Sequence, residues 1–291
     1  MGATLTEKAP AKINLTLRVL GRRADGYHEI ESLVAFADVA DTLTLQVGPE
    51  AELDVTGPFG SKAGAATDNL VLKALATLRQ RINGLKAGRF FLEKNIPVAA
   101  GIGGGSADAA AALRLIARAN NVVPDDPRLM STALAVGADV PVCLDPTPRI
   151  MRGVGERLSE PLHLPLLPAL LVNPGVPLVT RDVFGKFAVV QGGVSLGNVP
   201  REFDALVEWL KHHGNDLTAA ASRCAPAIAE VLAALGELSG VRLVRMSGSG
   251  ATCFALFSSR SEAVAAAQRL KRERDGWWIC DTTIGPRLPK T

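Results

Sequence analysis

The chain has 291 residues, of which 47% are hydrophobic and 21% charged, which is typical of a globular protein and excludes a disordered or fibrous one. Its 32 basic and 29 acidic residues leave a formal net charge of +3, too small an excess to indicate a nucleic-acid or membrane surface. We therefore expect small-molecule partners, no nucleic-acid or membrane partner, and two domains of ordinary size.

The N-terminal residues and the cysteines point to a cytoplasmic protein. Charged residues come early, and no apolar core precedes a small-residue cleavage site, so no secretory signal is visible. The four cysteines form no CxxC pair, which argues against a zinc ribbon or a dithiol redox motif. They are Cys143, Cys224, Cys253 and Cys280. We expect buried free thiols.

The start of the chain is predicted to form antiparallel sheet. Apolar and polar residues alternate over residues 11–19, the period of a half-buried strand. Lys12 and Asn14 therefore share one face of that strand. A turn over residues 25–26 follows, and the alternation returns over residues 42–47.

The next elements are predicted from caps and periodicity. In order they are a helix capped by Asp68 and ended by Gly84, a strand over residues 90–93, a helix from Ser106 to about Ala119, and a helix capped by Asp126, with Pro127 in its first turn, that stops near Gly137.

A proline-dense stretch over residues 161–168 predicts a linker, because each proline fixes its own backbone and lacks an amide donor. The domains are then residues 1–160 and 161–291. The later elements are predicted as strand 169–172, helices reaching residues 209 and 235, strands 241–246 and 253–257, helix 262–272 and strand 277–280. This order predicts an α+β fold. The glycine-rich segment 191–198 is predicted to be a surface loop.

A glycine-rich loop before the predicted Ser106 helix suits phosphate binding. Glycine occupies four of the five positions 101–105, which lets backbone amides approach an anion closely. The helix start adds unpaired N–H groups and a partial positive charge. No Walker lysine is present, and Ser106 breaks the dinucleotide pattern GxGxxG. The loop therefore predicts an anion site of another phosphate-loop family.

The segment from Pro97 to Ala107 resembles the phosphate loop of the GHMP kinases, the superfamily of galactokinase, homoserine kinase, mevalonate kinase and phosphomevalonate kinase. PAKINL at residues 10–15 and MSGSGATCFALF at residues 246–257 resemble its first and third motifs. The blocks RADGYHEIESL, DNLVLKA, GADVPVCL and GVGERL are similar to the members that act on a cytidine-diphosphate conjugate of methylerythritol in the non-mevalonate isoprenoid pathway.

The resemblance implies an ATP-dependent kinase with the two-domain GHMP fold. The N-terminal domain would be similar to ribosomal protein S5 domain 2 and would bind ATP, and the C-terminal domain would be ferredoxin-like and bind substrate. It also implies a catalytic pair, Lys12 and Asp139. An aspartate and a lysine suit this reaction. Asp139 could accept the proton of the attacking hydroxyl, and Lys12 could stabilise the negative charge that develops on the transferring phosphoryl group. Outside the motifs, each would be interpreted as an ordinary strand lysine or turn residue.

The binding residues are likewise implied by the resemblance. For ATP they are Pro97, Val98, Ala99, Ala100, Gly101, Ile102, Gly103, Gly104, Gly105, Ser106, Ala107, Asn69 and Lys94. For the substrate they are Asn14, Tyr27, His28 and Phe184, with His28 hydrogen-bonding the cytosine and Tyr27 stacking against Phe184. Ser249 and Gly250 would lie by phosphates.

Magnesium is expected with ATP, but its ligands are not assigned. Ala107 and Asp108 stand where the family often has a serine and an asparagine, so Ser106 is the only hydroxyl of the loop and Asp108 adds a negative charge near the helix start. The protein is expected to be a monomer or a homodimer.

Three alternatives remain open from the sequence. The acceptor could be a free polyol, mevalonate or homoserine, which the presence of Tyr27 and His28 disfavours. The chain could be an ATP-binding sensor that transfers no phosphate, which the presence of both Lys12 and Asp139 disfavours. A serine hydrolase is disfavoured because the residues around Ser106 lack the final glycine of GxSxG.

Overall fold

The computed structural model describes residues 3–64, 69–187 and 195–286. Contacts between Cα atoms divide the chain into two compact units that alternate along the sequence. The first unit contains Met1–Ala11, Val39–Val98 and Gly103–Pro146, and the second contains Lys12–Asp38, Ala99–Ile102 and Thr147–Thr291. The division at residue 160 stays a prediction.

The described residues form strands β1 (Thr4–Asn14), β2 (Arg18–Arg22), β3 (His28–Gly48), β4 (Glu52–Thr56), β5 (Ala87–Glu93), β6 (Arg149–Gly153), β7 (Arg157–Leu158), β8 (Leu167–Asn173), β9 (Val241–Met246), β10 (Cys253–Phe257) and β11 (Trp278–Gly285). The helices are α1 (Leu70–Arg79), α2 (Gly104–Ala119), α3 (Pro127–Val136), α4 (Val140–Leu144), α5 (Thr180–Gly185), α6 (Phe203–His212), α7 (Thr218–Cys224), α8 (Ala227–Gly236) and α9 (Arg260–Glu273).

The first unit packs a small sheet with α1 to α4. Strand β5 pairs antiparallel with the second part of β3 and parallel with β4. Its alternating pattern buries Phe90 and Leu92 completely, as the period of two requires. Helix α2 packs against α1 and α4. Its run of alanines over residues 109–112 is fully buried, which lets the neighbouring helices approach closely.

The second unit is built on antiparallel strands in the order β3, β11, β8, β10, β9. Strand β10 is buried along its whole length, and helices α8 and α9 pack against strands of this sheet. The first part of β3 also pairs with β2 and β6. The α+β class predicted from the sequence is confirmed.

Most predicted elements are confirmed, and strands 241–246 and 253–257 agree to the residue. The strand predicted over residues 11–19 is wrong at its end, because β1 stops at Asn14. There the backbone amides of Leu15 and Thr16 both donate to the carbonyl of Leu33, at 2.8 and 3.4 Å. The side-chain oxygen of Thr16 accepts from the amide of Leu33 at 2.9 Å, so a side chain replaces the regular ladder.

Two helix starts also differ from the prediction. Helix α2 begins at Gly104, two residues before Ser106. Helix α1 is capped by Asn69, whose Oδ1 accepts from the amide of Val71 at 3.0 Å. The predicted cap, Asp68, lies outside the described residues, as do residues 191–194 of the predicted glycine-rich loop. Across the part of the chain that the structure describes, no helix is both long and apolar enough to cross a membrane.

Candidate active site

Segments of the three sequence motifs meet in the second unit through backbone hydrogen bonds. The amide of Lys12, in the first motif, donates to the carbonyl of Ile102 in the glycine-rich loop at 2.9 Å. The amide and the hydroxyl of Thr252, in the third motif, both donate to the carbonyl of Ala100, at 3.1 and 2.6 Å. The loop is therefore held by residues that lie far from it in the sequence.

Glycines are required where these segments touch. Gly101 has a φ of +75°, and a Cβ atom there would overlap the carbonyl oxygen of Gly250. Gly248 has a φ of +57°, and its Cβ would lie 3.0 Å from the carbonyl oxygen of Gly101 and 3.2 Å from Oδ1 of Asn14. Any side chain would therefore push the loop away from the third motif.

A buried polar network surrounds Lys12, which is only 3% exposed. Its Nζ donates to Oδ1 of Asn14 at 3.1 Å, so the two side chains share a face as the alternation predicts. The backbone amide of Asn14 donates to Oγ of Ser247 at 3.0 Å, and its Nδ2 donates to Oγ of Ser32 at 2.7 Å. Strand β1, strand β3 and the third motif thus fix the surroundings of the ammonium.

The beginning of α2 presents backbone amides. The N-cap is Gly103, with a φ of +65°, and no side chain caps this end of the helix. The first helical hydrogen bond runs from the amide of Ala107 to the carbonyl of Gly103 at 2.8 Å. The amides of the first turn and the helix dipole favour an anion at this end.

Below this helix start, three charged side chains of the first unit form a buried cluster, the Asp41–Lys94–Asp108 cluster. Nζ of Lys94 contacts Oδ2 of both carboxylates, that of Asp108 at 2.7 Å. Oδ1 of Asp41 accepts from the amides of Asn95 and Ile96, at 2.5 and 2.9 Å. The cluster therefore ties β3 and the end of β5 to the second turn of α2.

The side chain of Asp108 points into this cluster and not outward from the first helical turn. Its Oδ1 is buried and has no hydrogen-bond partner among the described residues. Burial raises the pKa of Asp108 to about 7, against the opposing charge of Lys94 and with a further contribution from Asp41. Burial by itself lowers the pKa of Lys94, but the charges of Asp108 and Asp41 outweigh it and raise that pKa.

Replacing Asp108 by Asn is expected to change how stability depends on pH. The pKa of Asp108 is raised from its ordinary value of 3.8 to about 7 on folding, so the folded state binds the proton more tightly. Its contribution to the free energy of unfolding is complete below about pH 4 and is lost as the pH rises through about 7. Urea denaturation at several pH values should show the wild-type value falling relative to the variant over this window.

The matched control is Asp126→Asn. The hydrogen bonds to the side chain and the backbone amide of Arg128 lower the pKa of Asp126 to about 2, so that variant should alter the pH dependence only below about pH 4. A constant difference between wild type and Asp108→Asn from pH 4 to pH 7 would contradict the assignment.

Asp139 and Lys12 lie in different units, Asp139 in the first and Lys12 in the second. Asp139 occupies the N-cap position of α4, with φ −89° and ψ −8°, yet its side chain makes no capping hydrogen bond. It is half-buried. The carboxylate is therefore not used to cap its own helix.

The predicted cytosine site contains an aromatic pair, but not the predicted one. The rings of His28 and Phe184 stack with centroids 4.7 Å apart and an angle of 26° between their planes. Tyr27 is 64% exposed, on the turn where its amide donates to Oδ1 of Asp25 at 3.1 Å. Burial, with a smaller contribution from Arg22, lowers the pKa of His28 and favours the neutral ring at pH 7.

Sequence reasoning missed several residues of these networks. Asp41 had a usable signal, since an aspartate is unusual in a strand. Ser32, on the same strand, lies in the block RADGYHEIESL, but nothing local indicated its contact with Asn14, which lies in another strand. Thr180 was also missed: its hydroxyl lies 2.9 Å from that of Ser249, which the third motif had indicated.

Comparison with known proteins identifies the family. Residues 69–145 match the model of the GHMP kinases N terminal domain, and residues 201–275 match that of the GHMP kinases C terminal domain. A 4-diphosphocytidyl-2-C-methyl-D-erythritol kinase from Rhodopseudomonas palustris is 53% identical over 286 residues, covering 94% of this chain and 97% of that one. The chain belongs to the 4-diphosphocytidyl-2-C-methyl-D-erythritol kinase family of GHMP kinases.

Another relative and two solved structures are also similar to this chain over nearly its full length. The relative of the same name from Bradyrhizobium diazoefficiens is 52% identical over 291 residues, covering 96% of this chain and 98% of its own. A crystal structure of a 4-(cytidine 5'-diphospho)-2C-methyl-D-erythritol kinase has a TM-score of 0.78 and 36% identity, covering 97% of this chain and all of its own. A homoserine kinase from Cytophaga hutchinsonii, at 21% identity and a TM-score of 0.72, covers 99% of this chain and 96% of its own, and shares the fold.

Proposed function

We propose that the protein transfers the γ-phosphate of ATP to a hydroxyl of 4-diphosphocytidyl-2-C-methyl-D-erythritol, giving the 2-phosphate and ADP. This reaction belongs to the methylerythritol phosphate pathway of isoprenoid precursor biosynthesis. The observation that carries the proposal is the identity of 53%, over almost the full length, to a kinase named for this substrate. The convergence of the three GHMP motifs supports it.

Lys12 and Asp139 are proposed as the catalytic pair. The oxygen of the acceptor hydroxyl attacks the γ-phosphorus, the bond to the β-phosphate oxygen breaks, and ADP leaves. Asp139 accepts the hydroxyl proton. Lys12, held by Asn14, stabilises the negative charge on the transferring group.

ATP is proposed to bind at the loop over residues 97–107. The backbone amides at the start of α2 would hold phosphate oxygens, supported by the helix dipole. Asn69 is proposed to lie near the adenine. Lys94 is proposed to act by fixing the residues before the loop, because its ammonium is already bound to two carboxylates.

Magnesium enters this proposal as part of the MgATP substrate. Within residues 3–64, 69–187 and 195–286, no group of three or more His, Cys, Asp or Glu side chains could hold a metal ion. No ligand is therefore assigned on the chain. A cytoplasmic location, small-molecule partners only and a monomeric or homodimeric state complete the proposal.

The cytidine end of the substrate is proposed to bind at Tyr27, His28 and Phe184. Two aromatic rings are proposed to stack on the cytosine. One is Phe184, whose ring stacks on His28 in this structure, and the other is the exposed ring of Tyr27. The neutral ring of His28 can both donate and accept a hydrogen bond. Asn14 is proposed to contact the methylerythritol part beside Lys12.

The decisive experiment measures ADP formation with the cytidine-diphosphate conjugate and with acceptors that lack cytidine, namely 2-C-methyl-D-erythritol, mevalonate and homoserine. Turnover is expected with the conjugate alone. Equal use of a cytidine-free acceptor would refute the cytosine site. If ATP raises the melting temperature but no acceptor yields ADP, the protein is a sensor and not a kinase.

Tyr27→Ala is expected to raise the KM for the conjugate by roughly 5- to 150-fold, the usual value of one base–aromatic stack, with KM for ATP unchanged. The matched control is Trp209→Ala, which removes a ring that stacks on His213 elsewhere in the second unit. That control should leave both KM values unchanged. An unaltered KM in Tyr27→Ala would remove Tyr27 from the proposed site.

A further inference from the structure

Ser32 links the side chain of Asn14 to the backbone of Thr16. All three residues are at most 1% exposed, so water does not compete for their hydrogen bonds. Oγ of Ser32 lies 2.5 Å from the carbonyl oxygen of Thr16 and 2.7 Å from Nδ2 of Asn14. Ser32 lies in the block RADGYHEIESL, but the motifs assign no role to it or to this link.

The chemistry of these partners fixes the direction of every hydrogen bond. The carbonyl of Thr16 can only accept, so it takes the single hydroxyl hydrogen of Ser32. The oxygen of Ser32 must then accept from Asn14, which requires the NH₂ end of the amide. The opposite end, Oδ1, therefore faces Nζ of Lys12, which can only donate.

We propose that Ser32 is a positioning residue that fixes the amide orientation of Asn14 and thereby holds the ammonium of Lys12 for phosphoryl transfer. The inference rests on the proposed function. A reversed amide would turn its NH₂ group toward an ammonium, placing two donors against each other. Oγ of Ser247 holds only the backbone amide of Asn14. The side-chain orientation is therefore set by Ser32 and Lys12 together, and without the Ser32 hydroxyl the NH₂ end loses its acceptor.

The link is expected to affect the chemical step more than binding. Lys12 is buried, and small displacements of a charged group from its reactive position can cost 100-fold in rate. The loop amides that are proposed to bind ATP do not include this network. Loss of the Ser32 hydroxyl should therefore lower kcat and spare the KM for ATP.

The test is Ser32→Ala assayed with MgATP and the cytidine-diphosphate conjugate. We expect kcat to fall about 10- to 100-fold, with the KM for ATP within about twofold of wild type. Ser32→Thr, which keeps the hydroxyl, should restore kcat to within about threefold. The matched control is Ser159→Ala, since the hydroxyl of Ser159 also accepts one hydrogen bond and donates one, here from the amide of Ile150 and to the carbonyl of Glu160. That control should keep its kcat.

A second measurement is independent of turnover. In NMR hydrogen exchange, the side-chain NH₂ of Asn14 should be protected in wild type and exchange at least about tenfold faster in Ser32→Ala. Unchanged kcat in a folded Ser32→Ala variant, or unchanged exchange, would overturn the inference. An inactive wild-type protein would instead refute the proposed function, and the exchange rates would still decide the role of Ser32.

Discussion

Replacing Asp139 by Asn is expected to lower kcat by about 10²- to 10⁴-fold, the range typical for loss of a general base. The amide has nearly the same size but cannot take up the hydroxyl proton. Since the two side chains have nearly the same shape, the fold should be retained. ATP binding should also persist, because the loop over residues 97–107 is unchanged. Single-turnover phosphoryl transfer and an ATP-induced thermal shift measure the two effects separately.

The control for this variant is Asp125→Asn, which neutralises an exposed carboxylate of the same unit. It should keep wild-type turnover, which separates a specific role of Asp139 from the loss of one negative charge. Turnover of Asp139→Asn within tenfold of wild type would show that this carboxylate is not the proton acceptor. Loss of the thermal shift together with activity would indicate a folding defect instead.

Lys94→Met is expected to cost about 3 to 5 kcal/mol in the free energy of unfolding, the usual range when a buried ion pair loses one partner. The substitution leaves Asp41 and Asp108 facing each other without their cation. Asp41 would keep its bonds to the amides of Asn95 and Ile96, so the carboxylates cannot simply move apart. Urea denaturation at pH 8, above the pKa of about 7 that Asp108 has in the wild type, measures the loss.

Two further variants test whether the effect of Lys94→Met comes from the buried cluster. Lys211→Met removes an exposed lysine that pairs with Glu208 at 2.6 Å on the surface of α6, and should cost less than about 1 kcal/mol. Adding Asp108→Asn to Lys94→Met removes one unpaired carboxylate, so the double variant should be more stable than Lys94→Met. A cost for Lys94→Met no larger than for Lys211→Met would contradict the assignment of a tightly paired buried cluster.

The sequence predicted correctly those features of the site that depend on residues only a few positions apart. The glycines at positions 101 and 103 predicted a close approach of the backbone before a helix, and the structure has positive φ at both. The alternation around Lys12 and Asn14 predicted their shared face. Asp126 with Pro127 predicted the start of α3 correctly, because cap and proline act within one helical turn.

The features that the sequence did not predict depend mostly on residues that are distant in the sequence. Periodicity continued the first strand to residue 19, since nothing local reveals that the side chain of Thr16 meets the amide of Leu33. Asp68 and Asn69 are equally good caps, so propensity could not choose between them. Lys94 was assigned to ATP from its motif position, whereas its burial between two carboxylates emerges only when β3, β5 and α2 pack together.

The bonds from Thr252 to the carbonyl of Ala100 join residues that are 152 positions apart. During translation, the glycine-rich loop leaves the ribosome long before Thr252, which bonds to it in the folded protein. At about 5 to 20 residues per second, this interval lasts roughly 8 to 30 seconds. The nascent chain therefore carries the phosphate loop without its third-motif support throughout that time.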